Sequence, residues 1–199
     1  MKKKSRNAGK KRSTSKGSAS VRRRSSPITH HPSPALYKLA KKVGAALKGQ
    51  GLMLVTAESC TGGWVAEAVT MVPGSSEWFE RGFVTYTHIS KREMLGVGED
   101  TLGMHGAVSE PTVREMVTGA LNRSHGQIAV AVSGVAGPGG GTPAKPVGTV
   151  CFGWGSKDRA PASETRRFPG DREAVRRRSV EHALKGVLAL IASLASPGA

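Results

Sequence analysis

Ser59-Cys60-Thr61-Gly62-Gly63 stands between an apolar, strand-like run, Leu52-Met53-Leu54-Val55-Thr56, and a helix-like run from Trp64 to Met71. A serine at a strand-to-helix turn lies beside exposed backbone N–H groups, which suit an anion or a developing oxyanion. Lys91 is a candidate base for it, on a segment, Tyr86-Thr87-His88-Ile89-Ser90-Lys91, that follows another strand-like run. A lysine activates a serine only as the neutral amine, a form favoured by burial or a nearby cation. Tyr86 is placed to relay or orient the proton. The same residues also allow a plainer reading, in which Ser59 caps a helix and Lys91 is a surface lysine.

A second loop, Gly137-Pro138-Gly139-Gly140-Gly141-Thr142-Pro143, offers close backbone approach and N–H groups for an anion. It is neither a Walker loop nor a dinucleotide fingerprint, and a simple glycine-rich connector fits it equally well. Lys145, Arg172 and Arg176 are cations within reach of a phosphate or carboxylate, or else solvated surface charges. His88 is open to three readings: a ligand contact, a proton-transfer group or a loop histidine. Cys60 has no nearby histidine and reads as a small buried residue.

The elements that must position these groups follow from periodicity. Ser33-Pro34 starts a helix, with Leu36, Leu39, Ala40, Val43 and Leu47 on one face and Gly49 as its stop. Strands are predicted at 52–57, 82–86, 127–133, 147–154 and 164–168. A short helix is predicted at 90–95, a longer one opening at Ser109, and a last one opening at Asp171, whose apolar face runs from Val180 to Leu194. Alternating helices and strands predict a layered α/β domain over 34–196, with no internal repeat.

The chain has 199 residues and a net charge of +16, of which eleven charges fall in residues 1–33, a segment without Asp or Glu. The pI of 10.6 is therefore mostly a property of that segment. Its Lys, Arg, Ser and Gly content predicts a disordered basic tail. An electrostatic arm for nucleic acid, a solubilising or processed extension, and a start placed too far upstream all fit it. Nucleic-acid binding is expected, if at all, only through this tail. No apolar run reaches membrane-spanning length. Cys60 and Cys151 give neither a disulfide framework nor metal spacing, and a reducing cytoplasm is the expected compartment. The six histidines form no ligand pattern, so no metal site is expected.

Several ordered motifs together resemble the CinA C-terminal domain family, whose stand-alone members include nicotinamide-nucleotide amidases of the PncC type. They are AESCTGG at 57–63, GFVTYTHISKREMLGV at 82–97, HGAVSE at 105–110 and SGVAGPGGGTPAKPVGTV at 133–150. The resemblance spans about 35–195. It implies a three-layer α/β/α sandwich on a mixed sheet, usually oligomeric, with a dimer favoured. It also implies an amidohydrolase that deamidates nicotinamide mononucleotide to nicotinate mononucleotide and ammonia, without metal or organic cofactor.

The serine and lysine of the family map to Ser59 and Lys91, and its tyrosine to Tyr86. Cys60 and Thr61 would supply the oxyanion N–H groups. Gly62, Gly63, His88, Ser133, Gly137, Gly139, Gly140 and Arg172 would contact the substrate, the glycine loop and Arg172 at the ribose phosphate. Relatives usually have asparagine at His88 and threonine at Ser133, and often Glu and Ala at Ile89 and Ser90. A non-catalytic nucleotide-binding or regulatory domain is the rival expectation, because a fold does not guarantee chemistry.

Overall fold

The computed structural model describes Met1 and residues 33–195. The predicted basic tail therefore falls, but for Met1 and Ser33, outside the described residues. The elements run in the order α1 (Pro34–Gly49), β1 (Leu54–Glu58), α2 (Trp64–Thr70), β2 (Phe79–Val84), α3 (His88–Leu95), α4 (Glu99–His105), α5 (Glu110–Asn122), β3 (Ile128–Gly134), β4 (Thr149–Ser156), β5 (Arg159–Arg167) and α6 (Arg172–Ala195). The five strands form one sheet in the order β2-β1-β3-β4-β5. β2, β1 and β3 are mutually parallel, and β4 and β5 are added antiparallel.

Alternation along β3 splits the core in two. Ile128, Val130 and Val132 join Phe152, Trp154 and the apolar faces of α1, α2 and α6 in one cluster. Ala129 and Ala131 face the other way, onto α5 with Val113, Met116 and Val117. The result is a three-layer α/β/α sandwich on a mixed sheet. The second face is built of small residues because α5 lies close against it. A Cβ at Gly153 would stand 2.8 Å from the Val113 carbonyl oxygen.

The chain leaves β1 through α2 in one layer and returns from β2 to β3 through α3, α4 and α5 in the other. The parallel strands β1 and β3 are neighbours, so their carboxyl ends open onto a crevice where connections diverge. Ligands of open α/β sheets bind at such a switch point. Ser59 follows β1 directly, and Ser133 lies near the end of β3.

Several boundaries moved against expectation and one helix was missed; β2 runs Phe79–Val84 rather than 82–86. β5 starts at Arg159 rather than near 164. Its first half is largely exposed edge strand carrying Pro161, so it shows no apolar alternation. α4 was not foreseen, and Leu102 is its only buried residue. Among the described residues, no helix is long and apolar enough to cross a membrane.

Candidate active site

β1 sets the serine. Its N–H donates to the Val132 carbonyl at 2.9 Å, extending the ladder one residue beyond the strand. The chain then turns sharply, with Gly62 N–H donating to the Ser59 carbonyl at 3.0 Å. Gly62 and Gly63 hold φ values of 62° and 94°, a left-handed backbone that favours glycine.

α3 sets the lysine. Thr87 and Ser90 form a reciprocal capping box at its start, and Gly96 ends it in left-handed backbone. Lys91 and Leu95, four residues apart, make its buried face. α3 is held down where its end meets α5, and a Cβ at Gly119 would stand 1.9 Å from the Leu95 carbonyl oxygen.

These two placements bring Lys91 Nζ to 3.0 Å from Ser59 Oγ. The same amine donates to the Thr85 carbonyl at 2.7 Å, which fixes its direction. Lys91 is the largest fully buried side chain among the described residues. Removal from water disfavours the ammonium and lowers its pKa from 10.5 to about 8. Burial acts oppositely on Cys60, whose thiol is pushed up to about 12, so it is not a thiolate nucleophile.

In front of Ser59 lies a cleft of about 250 Å³. Ser59, Cys60, Tyr86, Ser133, Gly137, Gly139, Gly140 and Arg172 are among its lining residues. Ser133 is buried and donates to the Ala107 carbonyl at 2.7 Å, joining the β3 end to the segment before α5. Arg172 reaches across the opening, donating to the Gly137 carbonyl at 2.9 Å and to the Tyr86 hydroxyl at 3.3 Å. Tyr86 is 60% exposed, so it sits at the mouth of the cleft rather than within the Ser59–Lys91 pair.

Other expected site residues are placed elsewhere. His88 is the exposed first residue of α3 and does not line the cleft. Gly62 and Gly63 do not line it either, and their N–H groups are spent within the protein. Lys145 donates to the His105 carbonyl at 2.6 Å. Arg176 turns to the back of the serine turn, donating to the Cys60 carbonyl at 3.1 Å and the Thr61 carbonyl at 2.7 Å.

The N-terminus of α2 is not a free anion site. The buried Glu58 carboxylate accepts from Gly63, Val65 and Ala66 N–H groups at 3.0, 2.9 and 2.8 Å. Sequence reasoning missed this residue. The available signal was an acidic residue ending a strand five residues before the helix N-cap. The N–H groups of Cys60 and Thr61, by contrast, donate to no other residue among those described, the Cys60 N–H meeting only its own thiol. They are the free donors beside Ser59. Among the described residues no group of three His, Cys, Asp or Glu side chains gathers as a metal ion requires.

The family model that matches this chain is described as the CinA C-terminal domain and covers residues 36–191. Nicotinamide-nucleotide amidohydrolase PncC of Escherichia coli is 52% identical over 150 residues, which is 75% of this chain and 91% of that protein. The protein of the same name from Pseudomonas putida is 56% identical over 152 residues, with 76% and 94% covered. Among solved structures, the competence/damage inducible protein CihA from Agrobacterium tumefaciens matches with a TM-score of 0.78 at 44% identity, covering 79% of this chain and 96% of that one.

Proposed function

The chain belongs to the CinA C-terminal domain family, and from that premise we propose that it is a nicotinamide-nucleotide amidohydrolase. It converts nicotinamide mononucleotide and water to nicotinate mononucleotide and ammonia. The observation that carries the catalytic reading is the 3.0 Å approach of a fully buried lysine to the Ser59 hydroxyl at the base of a cleft.

With its pKa near 8, Lys91 is neutral in about a tenth of molecules at pH 7. The neutral amine takes the Ser59 proton as Oγ attacks the carboxamide carbon. The carbonyl oxygen becomes an oxyanion and meets the Cys60 and Thr61 N–H groups, each such donor contributing about 3–4 kcal/mol to lowering the barrier. The C–N bond breaks as the Lys91 ammonium passes its proton to the leaving nitrogen, which departs as ammonia. Water then attacks the Ser59 ester, Lys91 takes its proton, and the same proton restores the Ser59 hydroxyl.

Arg172 and the loop at 137–141 hold the nucleotide phosphate in this reading. Two of the five guanidinium donors are committed to Gly137 and Tyr86, and others remain for a ligand. A cytoplasmic location accords with the two free, buried cysteines. A homodimer accords with the exposed Val84, Tyr86 and Ile89 at and beyond the edge strand β2, and equilibrium sedimentation reads it.

The test is ammonia release from nicotinamide mononucleotide by the full chain. Ser59→Ala and Lys91→Ala each lower turnover by at least about a thousandfold while each variant still unfolds cooperatively. Near-normal turnover in either variant overturns the assignment. Calorimetric binding of the mononucleotide without ammonia release makes the chain a binding domain instead.

A further inference from the structure

The nucleophile turn is shaped by a side chain more than a hundred residues away. The Arg176 Nε and Nη2 groups, from α6, bond to the carbonyls of two consecutive residues, Cys60 and Thr61. Its guanidinium lies over the Trp64 ring, 5.1 Å from the centroid. No carboxylate pairs with Arg176 among the described residues.

The consequence follows from the trans peptide. The carbonyl of one residue and the N–H of the next share a plane and point in opposite directions. Drawing the Cys60 carbonyl toward α6 therefore turns the Thr61 N–H away from α6. The Ser59 carbonyl is held by Gly62 N–H, which likewise fixes the plane that carries the Cys60 N–H. The two free donors beside Ser59 thus belong to peptides whose carbonyls are both tied. The guanidinium is also a positive charge one peptide behind those donors, and its field reaches Cys60, whose thiol it acts to make more acidic.

We propose that Arg176 is a positioning residue of the Ser59 turn: its grip on the Cys60 carbonyl pre-orients the Thr61 oxyanion donor, and its grip on the Thr61 carbonyl fixes the peptide of the Gly62 N–H that holds the Ser59 carbonyl. The inference rests on the amidase reading. A planar guanidinium holds two carbonyls at once in a fixed fork, whereas a lysine ammonium is a single point charge. Arg176 lies outside the cleft lining, so its removal changes the chemical step rather than ligand affinity.

Arg176→Met and Arg176→Lys are made in the full chain and compared with the parent. Arg176→Met lowers kcat by about a hundredfold, the effect of losing an oxyanion donor. Its KM stays within about threefold of the parent, and the midpoint of its rising pH limb, set by Lys91, does not move. Arg176→Lys recovers no more than about a tenth of the parent kcat, because the charge returns without the fork. Full recovery with lysine shows that charge alone acts and overturns the positioning role. A raised KM with kcat preserved makes Arg176 a ligand contact and overturns it too. So does a kcat within about threefold of the parent in Arg176→Met.

Modification of Ser59 by a fluorophosphonate probe is the second readout, since it forms a similar oxyanion without the nucleotide. Slower labelling of a folded variant supports the proposal even if the parent releases no ammonia, an outcome that removes only the amidase reading. Equal labelling of parent and variant, or no labelling of the parent, overturns the proposal. Arg176→Lys carries the labelling test if the methionine variant does not fold.

Discussion

The turn at 59–63 and the loop at 137–141 both bring glycines to the site, and they are held in opposite ways. In the turn, Glu58 takes three N–H groups, Gly62 closes on Ser59, and Arg176 grips two carbonyls. In the loop, the recorded bond is Arg172 to the Gly137 carbonyl. The loop ends pack on Val147, whereas a Cβ at Gly139 would meet nothing within 4 Å. In the proposed reaction, rigidity is concentrated where charge would develop on the reacting atom, and slack is left where the ligand would be held. Pre-organised donors act without reorganisation during the reaction, whereas a binding loop can close around what it binds.

The contrast is sharpened most by pH. In the proposed mechanism the neutral amine of Lys91 is the reactive form, so kcat/KM rises with pH and levels off above a midpoint near 8. Between pH 6 and 8 the rise is about fiftyfold. For stability the sign is also positive. Below about 8 the fold bears the full cost of burying an ammonium, and the cost is relieved as pH rises from about 8 toward 10.5, where only the unfolded chain stays protonated. A pH-independent rate, or a midpoint that survives Lys91→Met, breaks the link between burial and catalysis.

The second test loosens the turn. Glu58→Gln leaves one oxygen and an NH2 group facing three N–H donors, and destabilises the fold by about 2–3 kcal/mol in urea unfolding. A change below about 0.5 kcal/mol shows that water replaces the carboxylate and that the turn is not rigidly held. The smallest effect is expected in the loop. Gly139→Ala stays within about 0.5 kcal/mol of the parent in stability, and KM shifts by about two- to fivefold with kcat kept. A collapse of kcat in Gly139→Ala would place the loop in the catalytic machinery and erase the distinction.

The legible parts of the sequence were those whose signal is local. Pro34, Ser109 and Asp171 announced α1, α5 and α6, because a first-turn proline, side-chain caps at Ser109 and Asp171 and an apolar stripe act over one or two turns. α4 and the first half of β5 were silent, since elements that bury little carry little periodicity. The strand order was closed to sequence reasoning because register is set between distant strands. The Ser59–Lys91 pair spans 32 residues; the residues alone offered it beside a plainer reading, and the resemblance favoured it. Arg176 and His88 were left open between site and surface readings for one reason: a long or polar side chain near a site points wherever its helix turns it. Glu58 was overlooked because a glutamate ending a strand reads as solvent-facing until its three N–H partners are seen.

The grip of α6 on the Ser59 turn also bears on how the protein is made. Ribosomes synthesise β1, the turn and Lys91 long before residue 176, and Arg176 can engage the Cys60 and Thr61 carbonyls only after α6 has formed and docked. A nascent chain halted before that point carries both Ser59 and Lys91 yet lacks the fork that sets the turn. On the proposed role of Arg176, hydrolytic competence arrives with the last helix rather than by increments during synthesis.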